Sequence, residues 1–305
     1  MTGKLHLELS VDQQHNGRKA SDFLAEASGL PKQRIKDAMT KGAVWLRRGR
    51  NRKRLRKVTE ALKNGDSLML FYDADLLSRV AEPPVCLHDA RGYSVWFKPA
   101  GILSQGNDYG DHLSLLRLAE QILEPKRGAF PVHRLDRETA GLVLVAHKAG
   151  VAAQLSALFR DNQVDKTYLA RVLGHTPDSG TIEARLDGKN ARTHYVRVDY
   201  DPQNDIAELE VKIDTGRTHQ IRRHLAGIGH PVIGDPRYGQ GNKNRAGLQL
   251  WAKALAFTCP LRRQNASFEL SPEFLAKNAH YTPLTSLNSC SENEVSTPEQ
   301  TKKPA

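Results

Sequence analysis

A chain of 305 residues, with 39% hydrophobic and 26% charged residues, is long enough for one large domain and one small one and has the composition of a water-exposed globular protein. No apolar run approaches the roughly 20 residues that a bilayer demands, and the opening stretch MTGKLHLELS lacks the hydrophobic segment of a secretion signal, so a cytoplasmic protein without a membrane partner is expected. The net charge of +11 is local: residues 31–57 hold twelve Lys and Arg against one acid, Asp37, while the rest of the chain divides evenly into 33 basic and 33 acidic residues, which marks a polyanion-binding patch rather than a uniformly basic protein.

In chain order, Ser21 is placed to cap a helix whose apolar positions include Phe23, Leu24 and Ala27 and which ends at Gly29. Pro31 suits the first turn of a second helix, with Ile35, Ala38 and Met39 on one face and Lys32, Arg34, Lys36 and Lys41 largely elsewhere. Residues 43–46 read as a strand. The run RRGRNRKRLRK from 47 to 57 reads as an exposed basic hairpin or loop, and Asn64-Gly65 as a tight turn into a strand at 67–72. Residues 74–84, which end in Glu-Pro-Pro, read as an interdomain linker. Short strands at 85–88 and 93–97 follow, the second running into the turn Lys98-Pro99-Ala100-Gly101.

The next stretch, PVHRLDRETAGLVLVAHK from 131 to 148, is a polar loop crowded with ionisable groups that feeds a continuous apolar strand at 142–146. Asp136 stands between Arg134 and Arg137, with His133 and Glu138 close by. Flanking guanidiniums favour the charged carboxylate, which suits nucleophilic attack better than proton donation. A solvated ion-pair cluster is the plain alternative for such a loop. A helix at 150–162 carries Val151, Leu155, Leu158 and Phe159, and a strand at 165–170 carries Tyr168, an ordinary core aromatic unless its neighbours say otherwise. In the strands at 193–200 and 207–213, Ala207, Leu209, Val211 and Ile213 face one way and Glu208, Glu210 and Lys212 the other, so one face of this sheet is expected to be wet.

Ile221, Leu225 and Ile228 mark a helix within TGRTHQIRRHLAGIGHPVIG, residues 215–234, with Arg222 and Arg223 on its flanks. His219, His224 and His230 are spaced by five and six, which puts no two imidazoles on one helical face, and no acidic cluster accompanies them, so no metal site is expected. The three cysteines, Cys86, Cys259 and Cys290, lie far apart and form no CxxC pair. From about 285 the chain is polar and expected to be disordered. There is no GxGxxG loop, no Walker loop and no HExxH.

HRLDRETAGL closely resembles the catalytic-loop motif HRLD-xx-T-[SA]-G of the RluA-type RNA pseudouridine synthases. Two further segments resemble that family's motifs in the right order: DKTYLA its K-x-Y, and GRTHQIRRHL its GRTHQIR-x-HL, while Lys98-Pro99-Ala100-Gly101 resembles its early KPAG turn. The resemblance covers roughly residues 85–260. The order helix, helix, strand, basic loop, strand ahead of it resembles the small RNA-binding domain first known from a protein of the small ribosomal subunit, with an unusually basic insertion at 47–57.

The resemblance implies an α+β pseudouridine synthase fold, a mixed, largely antiparallel sheet with helices and loops around a central cleft, preceded by a small α+β RNA-binding domain. The expected division is 17–73 for the basic domain, 74–84 for the linker, 85–282 for the catalytic domain and 283–305 for the tail. By the same resemblance Asp136 is the catalytic residue, Tyr168 stacks on the target base, Arg222 pairs with the aspartate, Arg134 fills the space the base vacates, and Arg217 and Ile221 bind substrate. RNA is expected to meet Lys32, Arg34, Lys36, Arg50, Arg52, Lys53 and Arg54. The implied reaction cuts uracil from its sugar at nitrogen, rotates it and rejoins it through carbon. Nothing is added or lost, so no cofactor is expected. The implied partner is RNA, large-subunit ribosomal RNA ahead of transfer RNA, and the chain is expected to act as a monomer. Two readings of other classes stand beside this one: an RNA-binding factor without catalysis, and a metal-dependent nuclease using His133, Asp136 and the later histidines.

Overall fold

The computed structural model describes residues 3–239, 246–279, 281, 282 and 284, so the tail expected at 283–305 lies, Leu284 apart, outside the described residues. Two compact units cut across the expected division: one holds the chain up to Arg137 together with Val143–Gln154, the other Glu138–Leu142 together with the chain from Leu155 on.

The first unit opens on a four-stranded sheet in the order β1-β4-β2-β3, formed by β1 (Lys4–Ser10), β2 (Val44–Arg48), β3 (Asn51–Arg54) and β4 (Ser67–Asp73). Helices α1 (Ala20–Ser28) and α2 (Lys32–Thr40) bury Phe23, Leu24, Ile35, Ala38 and Met39 with Val44, Leu46, Leu68 and Leu70 in one apolar cluster. A domain start at 17 is too late. β1 pairs with β4 along its whole length, from Lys4 opposite Asp73 to Ser10 opposite Ser67, and Leu5, Leu7 and Leu9 pack against the cluster. Lys19 rather than Ser21 holds the cap position of α1, and Ser21 is buried inside the first turn. Gly29 ends α1 as expected, in the left-handed conformation. The expected linker begins as a helix, α3 (Ala74–Ser78), capped by the Asp73 carboxylate, which accepts the Leu76 N–H at 3.0 Å.

The unit continues with β5 (Val85–Asp89), β6 (Tyr93–Lys98), α4 (Leu115–Ile122) and the two-residue β7 (Phe130–Pro131). β8 (Ala140–Ala146) is buried at every position, as its unbroken apolar run requires. Its last residues pair Phe130 and Pro131, while Ala140 and Gly141, which belong to the second unit, run parallel to Trp251 and Ala252. Helix α5 (Ala149–Arg160) follows.

The second unit is built on β9 (Val164–Leu173), β10 (Ser179–Ile182), β11 (Thr193–Asp201), β12 (Ile206–Ile213), β13 (Leu250–Cys259) and β14 (Gln264–Glu269), with α6 (Gln220–Gly227) and α7 (Pro272–Ala279). Its strand order is β10-β11-β12-β9-β13-β8, antiparallel except at β13 and β8, with β14 added to β13. The fold is therefore α+β with a mixed, mostly antiparallel sheet, as expected. The wet face expected on β12 is interrupted at Glu208. This residue lies directly opposite Arg171 of β9, is buried, and pairs with the Arg171 Nε at 2.8 Å while accepting the Tyr281 hydroxyl at 3.0 Å. A charged pair placed in register satisfies itself and needs no water. Burial and the neighbouring Glu208 push the Tyr281 hydroxyl up to about 12.

Gly141 has φ of +130°, and a Cβ there would stand 2.4 Å from the Ala252 carbonyl oxygen and 2.5 Å from its nitrogen. The glycine is what lets β8 approach β13. Gly141→Ala is expected to cost at least about 2 kcal/mol from the backbone conformation alone, read as a lower urea midpoint. An unchanged midpoint would show that this pairing does not set the position of β8.

Candidate active site

The loop before β8 is anchored by Val132 and Leu135, both buried, while Asp136 and Arg137 are half-buried and Arg134 is exposed. Main-chain groups on both sides of Asp136 are tied. The Ser104 hydroxyl accepts the Leu135 N–H and donates to the Leu135 carbonyl, each at 2.9 Å. The Arg137 carbonyl accepts the Gly101 N–H at 2.8 Å and the Lys98 ammonium at 3.3 Å. Lys98 is fully buried, and its ammonium also donates to the carbonyls of Pro99 and Ile102 at 3.0 Å each. The Lys98-Pro99-Ala100-Gly101 turn, unremarkable as a motif, thus braces the loop. Such bracing fixes a reactive side chain by fixing the backbone that carries it. Ser104 lay in a stretch from which no element was read, and Lys98 carried no signal beyond its place before Pro-Ala-Gly.

His133 Nε2 accepts the Leu144 N–H at 3.0 Å. That lone pair is occupied by the strand, which removes it as a metal ligand in the nuclease reading.

In the second unit, Tyr168 lies half-buried on β9, opposite Val211 and Ala252, and packs against the core cluster of Ala170, Leu209 and Val211. Before α6 the loop is pinned by Gln220, which is buried. Its Oε1 accepts the Thr215 hydroxyl at 2.7 Å and the Arg217 N–H at 3.1 Å, and its Nε2 donates to Arg192 O at 2.9 Å and Thr193 Oγ1 at 3.0 Å. Arg217 is exposed, with its Nε on Asn190 O at 3.2 Å. Ile221, expected to bind substrate, is 5% exposed and packs with Leu225 in the same cluster, as the helical periodicity alone requires.

Arg222 is 2% exposed and makes a two-pronged pair with Asp235, Nε to Oδ2 at 2.7 Å and Nη2 to Oδ1 at 2.8 Å. The sequence reading gave Arg222 one carboxylate, Asp136, and overlooked this one, which lies a single residue past the third motif. Asp235 Oδ1 also accepts the N–H groups of Arg237 at 2.8 Å and Tyr238 at 3.0 Å. Burial alone would push the Asp235 carboxyl up, but hydrogen bonds from Arg222, Tyr238 and Arg237 outweigh it and hold the group below the usual carboxylate range.

Each of the three histidines has its own structural partner: His219 Nδ1 the Tyr238 hydroxyl at 2.9 Å, His224 the Thr193 hydroxyl at 2.9 Å and Ala184 O at 3.0 Å, and His230 Nδ1 Leu173 O at 2.9 Å. Among the described residues no three His, Cys, Asp or Glu side chains are grouped as metal ligands would be. Two adjoining clefts open at the end of β9, β11 and β12. One of about 530 Å³ is lined by Asp165, Lys166, His194 and Lys212, the other of about 390 Å³ by Glu183, Asn190 and Arg192, and Asp214 lines both. Lys166, the first residue of the K-x-Y match, is buried at this edge, and burial lowers its basicity.

The basic residues divide in a way the sequence did not suggest. Arg34, Arg50 and Lys53 are exposed and Lys36 half-buried, as a polyanion surface requires. Lys32 is paired with Asp22. Arg52 and Arg54, also expected to meet RNA, have partners within the chain: Arg52, itself exposed, pairs with Asp108 at 2.9 Å, and the less exposed Arg54 donates to Asn107 O at 2.7 Å and pairs with Asp111 at 3.2 Å. Their guanidiniums stack on Trp45 at 4.2 and 4.3 Å from its centroid. Local sequence cannot announce a partner more than fifty residues away.

The sequence model of the family described as RNA pseudouridylate synthase matches residues 92–227. The dual-specificity RNA pseudouridine synthase RluA of Escherichia coli K12 is 32% identical over 195 residues, which span 58% of this chain and 88% of that protein. The ribosomal large subunit pseudouridine synthase D of Nitrosomonas europaea is 37% identical over 161 residues, 47% of this chain and 46% of that one, so the match spans about half the length of that relative. The solved human RNA pseudouridylate synthase domain containing 4 aligns with a TM-score of 0.51 and 25% identity over 62% of this chain and 90% of that one. The chain belongs to the RNA pseudouridine synthase family, in its RluA-type branch, and is therefore an isomerase that acts on RNA. Among the described residues no helix is long and apolar enough to cross a membrane.

Proposed function

We propose that this chain converts particular uridines of large-subunit ribosomal RNA to pseudouridine, with Asp136 carrying the chemistry. The observation that bears most weight is the brace on the HRLD loop, which holds the residues before and after Asp136 by Ser104, Gly101 and Lys98. A loop fixed to this degree is suited to presenting one carboxylate in one place. That carboxylate serves any of three routes: attack on the sugar carbon, attack on the base, or removal of a sugar proton. The target uridine leaves its stack at a cost of a few kcal/mol. Stacking on Tyr168, worth about 1–3 kcal/mol for a base on an aromatic ring, offsets part of it. In this reading Arg222 orients the aspartate, Arg134 takes the place of the displaced base, and Arg217 contributes to holding RNA. The exposed Arg34, Arg50 and Lys53 give the basic domain its phosphate contacts. The ribosomal substrate is favoured by that domain and by the name of the Nitrosomonas relative.

The reaction has a direct readout, because rejoining uracil through C5 sends the hydrogen on that carbon to solvent. Ribosomal RNA transcribed with tritium at C5 of uridine is expected to release tritium stoichiometrically with its modified sites, in excess chelator as well as without it. Release from transfer RNA alone would move the substrate. Chain scission, or binding without release from any RNA, would sink the proposal in favour of a nuclease or a non-catalytic factor.

A further inference from the structure

Residues 103–115 connect the basic domain to the loop that carries Asp136, and both ends of the connection are specific. The segment folds back on itself. Leu103 N–H bonds to Leu113 O at 2.9 Å and Leu115 N–H to Leu103 O at 2.8 Å, while Asn107 and Gly110 exchange N–H···O bonds at 3.0 and 3.1 Å across the tip. The Gly106 backbone lies so close to Asp111 that a Cβ on Gly106 would stand 2.2 Å from the Asp111 Cβ. A segment closed at base and tip transmits displacement instead of absorbing it.

At the tip, the basic domain grips the segment. Asp111 N–H bonds to Lys41 O at 3.1 Å, and its carboxylate pairs with Arg54 at 3.2 Å and with Arg56. Arg52 takes Asp108, and the Trp45 indole N–H donates to Asp108 O at 3.2 Å. The Asp111 and Arg54 side chains are only 13% and 16% exposed, so this pair is screened less by salt than a surface contact with phosphate. At the base, one residue beyond Leu103, the Ser104 hydroxyl holds both main-chain groups of Leu135, the neighbour of Asp136. A cavity of about 100 Å³ runs along the segment, lined by Leu103, Asp111 and His112 of the segment together with Gly101 and Arg137.

We propose that residues 103–115 are a strut through which the basic domain positions Asp136, so that Arg54, Arg56 and Asp111 are positioning residues for the reaction. This rests on the role given to Asp136 above. A simple tether between the domains would need the grip at the tip but not the bond to Leu135. β3 divides the work: Arg52 and Arg54 point to the strut, and Lys53, on the alternate face, joins Arg50 at the surface open to RNA.

The test uses full-length Asp111→Asn, which keeps size and removes charge, with Asp111→Glu as the conservative rescue. Two readouts are taken: hydrogen exchange of the peptide containing the Leu135 amide in the free protein, and single-turnover tritium release at saturating RNA. Asp111→Asn is expected to speed exchange at Leu135 by at least ten-fold and slow the saturated rate by at least ten-fold, with RNA affinity within two-fold of the parent. Asp111→Glu should recover most of both. Parent-like exchange at Leu135 in a folded Asp111→Asn overturns the strut, whatever the activity. Faster exchange with a parent-like saturated rate overturns the positioning role. Should Asp111→Asn not fold, Arg56→Gln, which leaves Asp111 its Arg54 partner, is read in the same two ways, with effects of at least three-fold expected. If the parent itself releases no tritium from any RNA, the isomerase proposal fails and the exchange measurement still decides the strut.

Discussion

Asp136→Asn is expected to abolish tritium release while leaving RNA affinity within a few-fold of the parent. Asparagine matches aspartate in size but is neither a nucleophile nor a base. The groups that place the loop, Ser104 on Leu135 and Lys98 and Gly101 on Arg137, act on main-chain atoms and survive the substitution. A fall of at least four orders of magnitude corresponds to about 5 kcal/mol or more of lost transition-state stabilisation. In the function proposed above, affinity rests elsewhere, on phosphate contacts by exposed residues such as Arg50 and Lys53. Single-turnover release at saturating RNA, with binding measured on the same preparation, separates the two quantities. Substantial turnover by a clean Asp136→Asn preparation would show that another group carries the reaction.

What could be read from the sequence was what local sequence dictates. The unbroken apolar run gave β8, Gly29 gave the end of α1, and the ordered HRLD, K-x-Y and GRTHQIR matches gave the family. What could not be read was set by partners distant in the chain. Lys4–Ser10 alternates as a half-buried strand does, yet only its pairing with β4, some sixty residues on, makes it part of the domain. Glu208 looks like a solvent-facing residue until Arg171 is seen opposite it. Arg54 looks like a phosphate ligand until the largely buried Asp111 is seen beside it. In each case the side chain's chemistry was plain and its partner was not, and charge alone does not say whether a guanidinium faces RNA or an aspartate of its own chain.

The same lesson gives the second large effect, at Arg222 and Asp235. Asp235 is fully buried and occupies the Nε and Nη2 donors of a guanidinium that is itself 2% exposed. Asp235→Asn keeps one oxygen for the N–H groups of Arg237 and Tyr238 but turns an amide donor toward Arg222 or surrenders one of the charged contacts. Breaking a buried pair from one side costs about 3–5 kcal/mol. For a protein of this size that lowers the thermal midpoint by on the order of 10 °C. The pair also makes an acid signature. The folded carboxyl is held below its ordinary value of 3.8, so the unfolded chain binds the proton more readily than the folded one. The resulting stabilisation is fully present above 3.8 and disappears as the pH falls through the lower folded value. The parent is therefore expected to exceed Asp235→Asn in stability by its full margin at neutral pH, with the gap closing as the solution is taken into strong acid. Urea midpoints across that range measure it. No gap at neutrality would mean that the pair contributes nothing net, and a gap unchanged into strong acid would mean that the loss comes from packing around residue 235 and not from its charge.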